Sequence, residues 1–471
     1  MPDERPMTLG VIIGNRDFFP DVLVGEARRD ILTLFNESGL RAVMLGEKDS
    51  KLGGVETFAE ARRCAELFAS KRDEIDGVLV ALPNFGDEKG VVETLKLSRL
   101  NVPVLVQAYP DDLNALGVER RRDAFCGKIS VCNNLKQAGI AFSLTTRHVV
   151  RPDDPSFKSD LARFVGVCRV VKGLRGARFG AVGARPGAFN TVRYSEKILE
   201  RNGISVTTID LSEVLGKAGK IAENDPRLLA KLKAIESYAP SSGVPSDRLQ
   251  QMARLGVVLD EFVADNDLDS TAIQCWTSLQ QNFGCNVCTC MSMMSEALMP
   301  SACEVDITGA LSMHALSLAS RLPSALVDWN NNYGGDDDKC VLFHCGNWPK
   351  AFAPDTRIAN APILGSTLGV ENTWGAMEGR TPAGKLTFAR FTTDDSAGVI
   401  RGYVGQGVTT DDELRTFGHR AVAKIPRLQS LLRYVCEQGF EHHVAVNPSH
   451  VADVVAEACG KYLGWSVHLH E

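Results

Sequence analysis

Four short segments of this 471-residue chain carry metal-capable side chains: Pro300-Ser-Ala-Cys-Glu304-Val-Asp306, Leu326-Val-Asp328-Trp-Asn-Asn-Asn-Tyr333, Leu342-Phe-His344-Cys-Gly-Asn-Trp-Pro349 and Glu441-His442-His443. Two carboxylates and two imidazoles can make one octahedral divalent site. Such a set suits Mn2+, with Mg2+ or Co2+ as substitutes, better than Zn2+, which favours tetrahedral thiolate and histidine ligands. A cation held this way acts as a Lewis acid, and carboxylates beside it can carry protons.

Each residue also has a plainer reading. Glu304 stands just before a helix and is either a surface carboxylate or one aimed into a cleft. Asp328 ends the apolar run Ala325–Val327, where the strand is expected to stop and an Asx-type turn could take over. His344 lies in an apolar strand, a place where a satisfied core histidine is common. His442 and His443 precede Val444-Ala-Val446, and alternate side chains of a strand face opposite ways, so one imidazole of the pair is expected to bind metal. Asp336-Asp337-Asp338, beside Gly334-Gly335, reads as a solvated loop, and His314 as a helix-interior residue.

The elements that must position these groups follow from hydrophobic periodicity. Leu9–Ile13, Arg41–Leu45, Gly77–Leu82 and Val102–Val106 are β-branched runs of buried-strand length, separated by amphipathic stretches at Val22–Ser38 and Phe58–Lys71. This is a βαβ series on a parallel sheet. A second series has strands at Ala177–Val182, Ile204–Ile209 and Thr271–Trp276, with a helix at Thr191–Asn202. A charged helical stretch between Gly216 and Arg254 precedes the last of these strands. Gly180-Ala-Val-Gly183-Ala-Arg-Pro-Gly187 lacks the glycine offsets of a dinucleotide fingerprint and reads as a strand-to-helix loop. Asp306 or Thr308 caps a helix through Gly309–Ser320, which Pro323 ends. Short runs at Ala325–Val327, Val341–Phe343, Lys385–Phe391 and Ser396–Gly405 then predict an antiparallel sheet or small barrel, and His450–Leu463 a closing helix. The expected organisation is α/β: two consecutive Rossmann-like βαβ domains, 1–170 and 171–322, then a mostly antiparallel, barrel-like domain, 323–471, with a terminal helix.

A net charge of −6 without basic runs gives no footprint for nucleic acid or an anionic membrane. No stretch approaches the roughly 20 apolar residues of a membrane span. The apolar opening Thr8–Gly14 reads as a strand rather than a secretory core. The 13 cysteines, an odd number, read as reduced thiols of a cytoplasmic protein. Cys285-Asn-Val-Cys288-Thr-Cys290, with Cys303 beyond, has some of the look of a zinc or iron–sulfur site. Its neighbours Met291, Met293, Met294 and Met299 instead predict a buried apolar segment.

The chain resembles the L-fucose isomerase and L-arabinose isomerase superfamily of metal-dependent aldose–ketose isomerases, and most closely its fucose-isomerase-like branch. The resemblance runs through Gly14-Asn-Arg-Asp-Phe-Phe-Pro20, Asn84-Phe-Gly-Asp-Glu88, Ile273-Gln-Cys-Trp276, Cys303-Glu-Val-Asp-Ile-Thr-Gly-Ala-Leu-Ser-Met313, Asp328-Trp-Asn-Asn-Asn-Tyr-Gly334 and the late histidine pair. It implies that Glu304 and Asp328 are the catalytic, metal-binding carboxylates, that His443 is a ligand, and that His344 completes the set as in the arabinose-type enzymes. It further implies sugar contacts at Gln274, Trp276, Asn330 and His442. Arg16 is similar to an arginine that reaches substrate in a neighbouring subunit, within a homotrimer or hexamer whose active sites lie at subunit contacts. The implied reaction passes through a cis-enediol of a pentose, a 6-deoxyhexose or a related sugar, sulfonated sugars such as sulfoquinovose included. Arg16, Arg185 and Arg193 are the guanidinium groups available to an anionic substituent, and each also has a structural reading. A non-catalytic sugar receptor with two βαβ halves is the competing interpretation, although the predicted third domain and the absence of a recognisable leader argue against it.

Overall fold

The computed structural model describes residues 5–471. The chain forms two compact units, Met1–Lys172 with Lys461–Leu463, and Gly173–Gly460 with Gly464–Glu471.

The first unit is built on a parallel sheet of β1 Thr8–Gly14, β2 Arg41–Val43, β3 Gly54–Val55, β4 Gly77–Leu82, β5 Val104–Ala108 and β6 Ser143–Leu144. Its order is β2-β1-β4-β5-β6, with β3 also pairing to β1. Alternation divides the strands between two cores, as a sheet covered on both faces requires. Leu9, Val11 and Ile13 pack with Phe157 and Phe164, whereas Val78, Val80 and Leu82 pack with Phe68 and Val91. The amphipathic stretches form the helices Val22–Glu37 and Phe58–Ser70, the second opened by a Thr57–Glu60 capping box.

The second unit begins with β7 Arg178–Val182, β8 Ser205–Ile209, β9 Ser270–Ile273 and β10 Ser301–Cys303, a parallel sheet in the order β10-β9-β7-β8. The expected helix Thr191–Asn202 is instead a 3-10 turn, Asn190–Val192, and a short helix, Glu196–Arg201. Ser195 between them is extended and donates its backbone N–H to Thr393 Oγ1 at 2.9 Å, a tertiary bond that outcompetes the helix. The strand expected over Thr271–Trp276 stops at Ile273; the Gln274 N–H still reaches Val182 O at 2.9 Å, and its side chain accepts the Ala184 N–H at 2.9 Å.

Nine more strands follow: β11 Ala325–Tyr333, β12 Asp336–His344, β13 Arg357–Asn360, β14 Trp374–Arg380, β15 Gly384–Asp394, β16 Val399–Thr410, β17 His419–Lys424, β18 His443–Asn447 and β19 Ser466–His470. Their path is β13-β14-β17-β12-β11-β18-β15-β16-β19, and an additional β16–β17 pairing joins the central strands into a closed antiparallel ring. Ala325, Val327, Leu342, Leu386, Phe388, Val444 and Val446 belong to its core. The strand expected to stop at Asp328 runs on to Tyr333. Trp329, Asn331 and Asn332 pair with Leu342, Val341 and Cys340 across bulges, so the partner strand overrides the turn preference of the asparagines. Asp336–Asp338, expected in a loop, consequently open β12. The expected closing helix is shorter, Ala452–Ala456 passing into a π turn at Glu457–Tyr462. It is followed by β19, which pairs in parallel with Arg401–Gly405 of β16, outside the Val408–Thr410 stretch that β17 takes. No helix among the described residues is long and apolar enough to cross a membrane.

Candidate active site

Glu304 leaves β10 in an unusual way. It and Val305 are both left-handed, at φ 56° and 57°, a region that costs a β-branched residue about 1–3 kcal/mol. The turn is held by the Asp306 N–H bonding to Cys303 O at 2.9 Å, and Asp306 then caps the helix Ile307–Ser320 through Gly309 N. This sharp exit buries Glu304, leaving it 4% exposed. Its Oε1 accepts the Trp276 indole N–H at 2.8 Å and the Cys275 thiol at 3.2 Å, whereas Oε2 is buried without a partner. Burial pushes this carboxyl above its ordinary range, an effect tempered by His344 and His443.

The opposite side is a sheet surface. Asp328 on β11 stands across from His443 on β18 and from Phe343 on β12, and His344 ends β12. Nε2 of His443 lies 3.7 Å from Glu304 Oε2 and 3.6 Å from Asp328 Oδ1, and Nε2 of His344 lies 4.0 Å from Glu304 Oε2. Donor atoms of Glu304, His344 and His443 all fall within 4.8 Å of one another, as do those of Asp328, His442 and His443. An orphaned buried carboxylate oxygen facing two imidazole nitrogens is the arrangement a divalent cation would satisfy, so these residues fit a metal.

His443 is fixed from behind by a group whose role the sequence did not reveal. Its Nδ1 lies 2.9 Å from Asp306 Oδ2, and Arg390 donates to both Asp306 oxygens at 2.6 and 3.0 Å. Arg390 also donates to Glu441 at 3.0 Å, and Thr392 closes the network on Glu441 at 2.6 Å. Although burial opposes its charge, Arg390 and His443 hold the Asp306 carboxyl well below its ordinary range. An ionised carboxylate only accepts, so Nδ1 of His443 carries a proton toward Asp306, and Nε2 is the ring nitrogen that faces the cavity. Arg390 lies on the same strand parity as buried Leu386 and Phe388, and that period-2 placement is the signal that could have found it.

Glu304, Asp328, His344, His442 and His443 line a cavity of about 300 Å³ together with Phe189, Trp276, Cys345, Phe343, Phe417, Ile363 and Leu364. Glu304, Asp328, His344, His442, His443 and Trp276 are thus brought together. Gln274 does not line this cavity and is engaged with the loop at Ala184, and Asn330 is exposed on β11. Arg16 belongs to the first unit, where it pairs with Glu88 and lies 4.4 Å over the Phe85 ring. Arg185 bonds Pro186 O and Arg193 bonds Asn190 O. Among the described residues lining the cavity there is no arginine or lysine.

Comparison with known proteins bears on the same chain from outside. The family model of the fucose/sulfoquinovose isomerase N-terminal domain matches residues 10–175, and that of the L-fucose isomerase C-terminal domain matches residues 342–471. His344 and His443 fall inside the second match, and Glu304 and Asp328 lie between the two. The chain is 23% identical over 367 residues to a sulfoquinovose isomerase of Alkalicoccus urumqiensis, covering 77% of this chain and 79% of that protein. It is 25% identical over 335 residues to the sulfoquinovose isomerase of Priestia aryabhattai, covering 69% and 70%.

Proposed function

This chain belongs to the fucose isomerase-like superfamily of aldose–ketose isomerases, and from that premise we propose that it interconverts a sugar aldose and its ketose in the cavity of Glu304 and His443. The observation that carries the reading is the buried, unpartnered Oε2 of Glu304 within reach of two imidazole nitrogens. Glu304, Asp328, His344 and His443 would hold a divalent cation, Mn2+ in preference to Mg2+ or Co2+. When bound, it supplies Lewis-acid stabilisation of the negative charge that develops on substrate oxygen.

The chain's own residues do the rest. Interconversion removes a proton from the carbon beside the carbonyl and returns one to its neighbour, through a cis-enediol, and Glu304 and Asp328 are the proton carriers. Trp276 pins Oε1 of Glu304, leaving Oε2 as the working oxygen. Burial favours the protonated form of Glu304, which suits a group that must take up a proton and give it back. His442, 43% exposed at its side chain, stands 3.7 Å from Asp328 at the cavity mouth as a sugar contact. Trp276 and Phe189, edge-on to one another, add apolar ring surface for the C–H side of a sugar ring.

The substrate is a pentose, a 6-deoxyhexose or a related sugar. The relatives' names favour a sulfonated one, such as sulfoquinovose. With no arginine or lysine in the lining, a sulfonate would take its cation from elsewhere, and Arg16 of a neighbouring copy in a homo-oligomer is the candidate partner. Exposed Phe18, Leu113 and Val118 in the first unit support such association, and 13 free cysteines support a reducing, cytoplasmic setting.

The test is exchange of the C2 proton with D2O, followed by NMR over a panel of aldoses that includes sulfoquinovose, with Mn2+ or with EDTA. Exchange that requires Mn2+ and disappears in Glu304→Gln is expected. Exchange at the same rate in the variant would remove Glu304 from the mechanism, and sugar binding indifferent to EDTA and without exchange would favour a receptor.

A further inference from the structure

Two buried side-chain amides near the cavity take no part in the chemistry described above. Gln280 lies on the short helix Ser278–Asn282 and Asn286 on the turn before the helix Cys288–Glu296, and each is 1% exposed. Nε2 of Gln280 donates to Cys275 O at 2.8 Å and to Oδ1 of Asn286, and Nδ2 of Asn286 donates to Thr373 O at 2.8 Å. Both ends of this chain are backbone carbonyls, which only accept, so the orientation of each amide is fixed. That orientation leaves Oε1 of Gln280 buried with no partner among the described residues, a cost that an apolar side chain in its place would not incur.

The two carbonyls belong to two different segments that shape the cavity. Cys275 lies beyond the end of β9 at Ile273 and immediately precedes Trp276, whose indole N–H donates to Oε1 of Glu304 at 2.8 Å. Thr373 closes the rim segment 361–373, which holds the helix Pro362–Leu368 and a 3-10 turn, Val370–Asn372. The Thr373 carbonyl also accepts the Ala361 N–H at 3.2 Å, joining the two ends of that segment. Ala361, Ile363 and Leu364 line the cavity, and Ile363 is 60% exposed at its rim. Asn286 grips the same place through its backbone, its N–H donating to Trp374 O at 2.8 Å. The next residue has to be glycine, because at its φ of 109° a Cβ on Gly375 would lie 2.6 Å from Asn286 O. We infer that Gln280 and Asn286 are positioning residues, an amide relay that holds Trp276, and through it Glu304, in register with the rim segment. On the isomerase reading, on which this inference rests, the relay keeps Oε2 of Glu304 aimed at the reacting carbon while the rim meets the sugar.

The test compares the full-length parent with Asn286→Ser and with Gln280→Met, the second of which keeps the length of the side chain and removes its donors. All five tryptophans are replaced by 5-fluorotryptophan, and the Trp276 fluorine resonance is assigned by its loss in Trp276→Phe. Both variants are expected to shift or broaden that resonance. They are also expected to lower kcat and kcat/KM together, by about 10- to 100-fold on the aldose of the panel that exchanges fastest, as a misplaced reacting group does. A Trp276 resonance that does not move, or a kcat equal to the parent's in variants that have only lost stability, overturns the relay. Should neither variant fold, hydrogen exchange of the parent decides, at alkaline pH where opening limits the rate. Peptides covering 275–287 and 361–374 are expected to open at one shared rate, and two separate rates overturn the coupling. Neither the fluorine resonance nor the exchange needs turnover, so failure of the relay is distinguishable from failure of the isomerase assignment.

Discussion

The two sides of the cavity are built on opposite rules. On the barrel side, His443 is backed by Asp306, Arg390, Glu441 and Thr392, a buried network in which each charge meets an opposite charge or a donor. On the floor, Glu304 emerges from a left-handed turn, is pushed toward its neutral form by burial, and keeps one oxygen with nothing to bond. The contrast teaches how affinity and geometry are divided. The satisfied side fixes where a ligand must sit, and the unsatisfied side supplies the reason for one to bind, because a buried acceptor without a partner costs about 1–3 kcal/mol until something satisfies it.

The sharpest way to break this division is Glu304→Gln. It should lower turnover by about 10²- to 10⁴-fold, the range for loss of a positioned acid–base group, measured as kcat at saturating Mn2+. On the other side, Arg390→Met should cost about 3–5 kcal/mol of stability in denaturant titration, because it leaves Asp306 and Glu441 as buried, uncompensated charges. A stability equal to the parent's would show that the network is ornamental. Asp306→Asn keeps the helix cap but permits either ring nitrogen of His443 to carry the proton. It should weaken Mn2+ binding by about 10- to 100-fold in calorimetry.

The smallest effect separates the two sides by the sign of their pH dependence. Glu304 has its folded pKa raised, so between its ordinary value and the folded one the native state holds the extra proton, and metal-free stability falls as pH rises through that interval. Asp306 has its folded pKa depressed, so its contribution is present above its ordinary value and is lost only as pH falls toward the folded one. Thermal melts of metal-free protein from pH 4 to 8 should therefore lose the Glu304-dependent decline in Glu304→Gln, and Mn2+ should remove it in the parent. A decline of the same slope in the variant would assign it to another group.

What the sequence disclosed follows the same line. The parallel strands were legible because burial on both faces writes uninterrupted apolar runs such as Gly77–Leu82. Glu304 and Asp306 were legible as the approach to a helix, since capping is local chemistry. Arg390 was passed over because it lies 84 residues from Asp306, and a charged residue in a short apolar run carries no mark of its partner. Cys285, Cys288, Cys290 and Cys303 were legible as buried residues from the methionines around them, and all four are buried. Asp328 was expected in a turn because asparagines follow it, a local preference that pairing with β12 overrides.

The β16–β17 pairing has a consequence for how such a protein can change over generations. In an open sheet a strand can slide past its neighbour by two residues and keep its apolar side inward, but in a closed circuit every slide must be matched by all the other strands at once. Asp328 and His443 are therefore locked opposite each other by the whole hoop rather than by their own neighbours. Diversification is pushed out to the rim, where Ile363, Leu364 and Phe417 can be exchanged while Asp328 and His443 stay where they are.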